Sequence, residues 1–290
     1  MDIQNWLENF EKESWNWDFK KCYAPESNDD DGISLFLKYK LGLLIDNAHS
    51  LKYTKIFDEK YIGINGDCDK EVYPMYNLLE WQIEFDDSIR GETMNSFTTT
   101  FHKAIILSKN KDEIYEEIRV NKNKYLRNQY EVLLKDKNYQ KFSIIKNNLK
   151  EFECFAQLTH TIGNFTVLPN WMNTGRGGSF TVLDYWDLTL QSFYDFLLPL
   201  DAWESFVEKY YLHSFLDKSL KPVEFWDGHF SGYAKINDES QIEQFLFRVN
   251  RSITERGIYI KRELNNEKNS EWPRSSEEIW TKENKLEDLF

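Results

Sequence analysis

The chain has 290 residues, of which 41% are hydrophobic and 16% aromatic, including 10 Trp and 21 Phe. That content excludes a disordered chain and is enough to build a core without disulfide or metal staples. A formal charge of −13, from 36 basic and 49 acidic residues, argues against binding bare nucleic acid unless the charge is segregated, and suits a partner with basic surfaces.

The charge is uneven along the chain: residues 1–100 carry a net −10, residues 101–160 a net +4, and residues 161–290 a net −7. In the first region Ile3, Trp6, Leu7 and Phe10 recur at helical spacing. A polar break at 25–32 contains Asp29, Asp30 and Asp31 in a row. Residues 33–45 read as a buried helix. Residues 53–65, closed by Asn65-Gly66, read as strands or a hairpin, and residues 76–85 as a helix ended by Asp86, Asp87 and Gly91.

The middle region, 109–158, has neither Pro nor Gly, so little punctuates a helix there. Phe142, Ile145, Leu149, Phe152 and Phe155 repeat at steps of three and four. With a bend at Asp136-Lys137-Asn138, the pattern predicts two helices joined by a short turn. The pair either packs along the body or projects as an arm toward a partner or another copy.

The third region opens on a short strand, 165–168, stopped by Pro169. A turn follows with Arg176 among Gly175, Gly177 and Gly178. Helices are expected over 184–198, ended by Pro199, over 202–216 and over 241–253. Residues 264–276 read as loose, and 279–290 as a docking helix or frayed tail. The fold expected is α+β and helix-rich: an acidic N-terminal α+β domain at 1–108, a two-helix arm at 109–158 and a C-terminal α+β domain at 159–290.

Cys22, Cys68 and Cys154 form no CxxC pair, which excludes zinc-ribbon and disulfide frameworks and fits reduced thiols in a cytosol. The N-terminus has no basic or apolar leader pattern, and no apolar run approaches a membrane span. The expected location is therefore a cytoplasm.

The segment from 159 to 196 concentrates the chemistry. His160 precedes Gly163-Asn164-Phe165-Thr166-Val167-Leu168 and, later, Asn173. This order resembles the downstream half of the HNH-type domain of modification-dependent restriction enzymes. The resemblance implies a metal-dependent nuclease centred on His160 and Asn173, in which a histidine activates water and a metal ion clamps the phosphate. That family's upstream Glu-His pair does not occur in this chain. Asp227 and His229, two apart, suit one face of a strand, or else a hydrogen-bonded structural histidine. Residues 174–179 suit a tight turn better than a phosphate cradle, because the GK[ST] ending is missing. Asp86-Asp87 are adjacent rather than spaced as metal ligands.

Trp17-Asp18-Phe19-Lys20, the 159–169 segment, Asp187-Leu188-Thr189-Leu190, Pro199-Leu200 and the 225–233 segment occur in that order. The order resembles an uncharacterised family of bacterial and phage proteins, and it implies that the 159–196 stretch is a fold signature. Size, acidic make-up and the order of globular head, two-helix segment and globular C-terminal part are similar to the Gabija anti-defence proteins of phages. That similarity implies a non-enzymatic inhibitor in the host cytoplasm that oligomerises around the Gabija nuclease/helicase-like complex and keeps it from DNA. It implies no catalytic, cofactor or metal residues, no cofactor, and no direct contact with nucleic acid or membrane. The contact surfaces expected are the acidic N-terminal region and the 109–158 pair.

Overall fold

The computed structural model describes Trp15, Asn16, Asp18 and residues 79–81, 91–107, 127–167, 185–232, 236–264 and 272–281. These residues form a helix-rich α+β structure. The expectations for residues 3–10, 33–45, 53–65, 109–126 and 173–179, and for Asp86-Asp87, lie outside them.

Among the described residues the sheet is one antiparallel pair, β1 (Gly91–Thr93) and β2 (Phe165–Val167), with Glu92 opposite Thr166. The strand predicted at 165–168 is β2, and every residue of it is buried. From β1 the chain enters α1 (Phe97–Leu107), where the Ser96 hydroxyl accepts the Thr99 amide at 3.3 Å and so caps the helix. Phe97, Phe101, Ala104 and Ile105 then fall on one buried face.

The described part of the predicted helical pair, 127–158, is four short helices: α2 (Arg127–Lys135), α3 (Lys137–Gln140), α4 (Ser143–Asn147) and α5 (Leu149–Leu158). The break at Asp136 falls within the predicted bend. The break at Asn148 was not visible in the pattern. There the side-chain amide donates back to the Ile144 carbonyl at 3.0 Å while the backbone leaves helical geometry, a side-chain competition with the helix ladder. The apolar stripe still faces inward: Phe142, Ile145, Phe152 and Phe155 are buried. Phe152 meets Phe97 and Phe101 edge-on, and Tyr130 stacks on Phe97 with ring centroids 4.4 Å apart. Within 127–158 the chain is packed on the body.

Further along the chain come α6 (Trp186–Leu197), a 3₁₀ turn (Leu198–Leu200) and α7 (Trp203–Tyr210). The helix expected over 202–216 stops early because Tyr211 takes a left-handed conformation at φ 55°, and a separate 3₁₀ turn, His213–Phe215, follows. The helix expected over 76–85 is likewise corrected: Leu79–Trp81 is not helical, and Glu80 sits at φ 54°.

The central strut is α8 (Glu239–Leu264), longer at both ends than the expected 241–253. Asp238 caps its start by accepting the Gln241 amide at 2.9 Å, and Lys261 and Arg262 sit favourably at its negative end. Gly257 does not end it. At that point the Trp15 ring lies so close that an added Cβ would sit 2.5 Å from it. Gly163 meets the same helix on its other contact, where a Cβ would stand 2.0 Å from the Ile253 carbonyl oxygen. The strut thus touches α1, α5, the Ile162–Asn164 and His213–Phe215 turns and α9 (Ser276–Ile279). Buried side chains from Leu79 to Ile260 form a single apolar cluster around it.

Candidate functional site

His160 and Asn164 enter the structure through the 3₁₀ turn that joins α5 to β2. Thr159 and Thr161 hold that corner by donating their hydroxyls to the Phe155 and Leu158 carbonyls at 2.7 and 2.8 Å. His160 is 3% exposed. Its ring packs between Tyr130 and Phe165, with centroids 5.7 and 6.5 Å away. Its Nδ1 lies 3.7 Å from the Asp18 carboxylate, whose other oxygen lies 3.7 Å from Arg127 Nε. Arg127 also donates to the Asn16 carbonyl at 3.2 Å. Burial pulls the Arg127 guanidinium below its usual value, against the opposing pull of Asp18 and Glu131. Asp18 therefore meets the His160 segment in space, in a partly buried contact beside the aromatic rings.

Asn164 is fully buried and ties three backbone segments together. Its Oδ1 accepts the Asn95 amide at 3.0 Å, and its Nδ2 donates to the carbonyls of Asn95 and Thr159, both at 2.8 Å. Beside it, Arg256 of α8 is 1% exposed and donates to the carbonyls of Ile162, Gly163, Phe165 and Tyr210 at 2.6 to 3.2 Å. Its guanidinium lies 5.3 Å from the Trp81 ring centroid. The strand opposite the His160 segment is Gly91–Thr93, which contains no histidine. His102 falls in α1, and Asn173 lies outside the described residues. Among the described residues, no group of three or more His, Cys, Asp and Glu side chains could hold a metal ion.

Asp227 and His229 do not share a strand face. They lie in a turn, where Asp227 is exposed and paired with Arg248 at 2.7 Å, while His229 is buried. The partner of His229 is Asp187, at 2.6 Å from Nδ1, and Trp226 stacks on the imidazole at 3.4 Å. Asp187 also accepts the amides of Leu188 and Phe225 at 2.9 and 2.7 Å, fastening the start of α6 to the turn. His213 is buried against Glu208 at 3.2 Å, and desolvation lowers its pKa despite that carboxylate. A pocket of about 360 Å³ opens beside it, lined by Asp217, Lys218, Pro273, Ser275 and Glu278. Its polar groups close local turns: Asp217 accepts the Ser219 and Lys221 amides, and Glu278 accepts from Ser275 and pairs with Lys218. Cys154 is buried and reduced, and burial pushes its thiol well above the usual range.

One surface feature stands apart from this packed polar frame. The predicted helix 184–198 ends in solvent. Phe196, Leu198 and Leu200 are 52%, 49% and 62% exposed. The sequence signal was present in the apolar run Phe196-Leu197-Leu198-Pro199-Leu200, which continues past the helix stop with no helical period left to bury it. Arg256 also had a signal, because it falls on the apolar stripe of Val249, Ile253 and Ile260.

No helix of the described residues is long and apolar enough to cross a membrane. Comparison with protein-family models, curated proteins and solved structures finds no match to this chain.

Proposed function

We propose that this protein is a phage-encoded, non-enzymatic inhibitor that works in the host cytoplasm. In this reading it binds a bacterial anti-phage nuclease complex of the Gabija type, oligomerises around it and keeps it from DNA by steric occlusion. The observation that carries the reading is the use made of the His160 segment. His160 is 3% exposed and wedged between Tyr130 and Phe165, and Asn164 spends its amide on three backbone partners. The burial of His160 supports the reading, because a hydrolytic centre needs an imidazole within reach of substrate and water. An acidic body complements a surface built to hold DNA, and the resemblance in size and layout to phage anti-defence proteins points to the same partner class.

The test is cleavage of DNA by a purified Gabija complex with increasing amounts of the chain. Cleavage is expected to fall to completion near stoichiometric ratios. His160→Gln, folded, retains the effect, and charge reversal of lysines between residues 122 and 146 weakens it. Undiminished cleavage in the presence of excess folded chain would overturn the reading. So would magnesium-dependent DNA cleavage by the chain alone that His160→Gln abolishes.

A further inference from the structure

We infer that the cavity beside His213 binds a protonated primary amine carried on a short aliphatic stem. The inference goes beyond the partner reading above and does not depend on it. The cavity, of about 360 Å³, falls in the range of small-molecule sites. His213 lines it and is 8% exposed. The His213 Nε2 lies 3.2 Å from the Glu208 carboxylate, which is not part of the wall. A carboxylate only accepts, so Nε2 carries the imidazole proton and Nδ1 keeps a lone pair. That Nδ1 is buried and has no hydrogen-bond partner among the described residues. Burial lowers the His213 pKa against the upward pull of Glu208, which favours the neutral ring. A buried acceptor left unpaired is costly, and a ligand that donates to it recovers that cost.

The rest of the wall selects the donor. Asp217 uses Oδ1 to accept the Ser219 and Lys221 amides at 2.7 and 3.0 Å, which leaves its other oxygen for a ligand. Glu278 also lines the cavity and lies 3.7 Å from Lys218, so the wall's lysine already faces a carboxylate. Two carboxylates against one lysine make the wall negative and rich in acceptors. Such a wall suits an ammonium, whose three N–H groups can serve both the His213 Nδ1 and Asp217, and it repels carboxylates and phosphates. Leu220 and Pro273 supply apolar surface for the carbons behind the charge.

Both sides of the cavity are fixed by bonds of their own. Leu220 takes a left-handed conformation at φ 57°, a state that persists in a non-glycine residue where its surroundings hold it. Its amide donates to the Asp217 carbonyl at 3.0 Å, and its carbonyl accepts the Trp203 indole at 2.7 Å. On the other side, Ser275 and Glu278 form the capping box that starts α9. Ser276 then donates its amide and its hydroxyl to the Leu216 carbonyl, both at 2.8 Å, and so ties the two sides together. A site held in shape in this way loses little entropy on binding.

The experiment follows the imidazole nitrogen signals of the full chain, isotope-labelled at histidine, by NMR as n-butylamine is added. The signal lost in His213→Gln identifies His213. Its Nδ1 signal is expected to shift and saturate, with a dissociation constant on the order of 1 mM or tighter. Asp217→Asn keeps the oxygen that closes the turn and removes the charge, and is expected to weaken binding about tenfold. Thermal denaturation checks that this variant is folded. The amide of Nα-acetyl-lysine separates the two sources of the group. Binding at least as tight as that of butylamine assigns the site to a lysine side chain of another protein, and weaker binding assigns it to a free amine. Absence of a saturable shift in the wild type would overturn the inference. So would an equal shift with tetramethylammonium, which carries the charge without a donor, or unchanged affinity in folded Asp217→Asn.

Discussion

Arg256 shows how a charge can be a core residue. Its guanidinium donates to four backbone carbonyls, in the turn before β2, in β2 itself and at the end of α7. Arg256→Met keeps most of the volume and removes every donor. It should lower the unfolding free energy by about 3 kcal/mol or more, read from urea denaturation, with Arg256→Lys in between because an ammonium lacks the planar fork. Glu255, the next residue, carries a pH prediction. Burial raises its carboxyl above the ordinary value, while Arg274 and Arg262 pull it down and Glu278 pushes it up. A raised folded-state pKa means the native state holds the proton more tightly, so this contribution shrinks as pH rises through the shifted value. Arg274→Met removes the strongest downward pull and extends that window upward. The variant should therefore lose more stability at pH 8 than at pH 5, and Glu255→Gln in the same background should flatten the difference. Denaturation midpoints at the two pH values check it.

At the scale of elements, α8 organises the fold because two glycine contacts let other segments approach it closely. Gly163→Ala would drive a Cβ to 2.0 Å from the Ile253 carbonyl oxygen, and a backbone atom cannot step aside as a flexible side-chain end can. The expected cost is about 1–3 kcal/mol or more, measured as a lowered thermal midpoint. Much of this level was legible from sequence. The stripe from Phe142 to Phe155, the strand at 165–167, the bend near Asp136 and the core of α8 all follow from spacing and punctuation. The misses have local causes. Asn148 and Tyr211 interrupt helices through backbone choices that no periodicity records, and α8 runs through Gly257, against which the Trp15 ring packs. The pairing of β1 with β2 joins residues more than seventy positions apart, which a local pattern does not encode.

At the scale of the whole molecule, the buried aromatic side chains among the described residues join one apolar cluster, with a polar frame of Asn164, Arg256, Asp187 and His229 set inside it. The motif that drew attention in the sequence, His160 through Val167, was legible as important. Its use was not, because a histidine in a core and a histidine in a cleft leave the same mark in one sequence. The apolar run at 196–200 was legible but its exposure was not, because such a run reads as core until the fold leaves it outside. In the proposed function the molecule works by binding, with an acidic surface toward its partner. The most direct measurement is the mass, by size-exclusion chromatography with light scattering, of the purified chain mixed with the purified Gabija complex and a DNA duplex. The account predicts one protein peak heavier than either component and free of DNA. Separate elution of the chain, with the nuclease complex still bound to DNA, would contradict it.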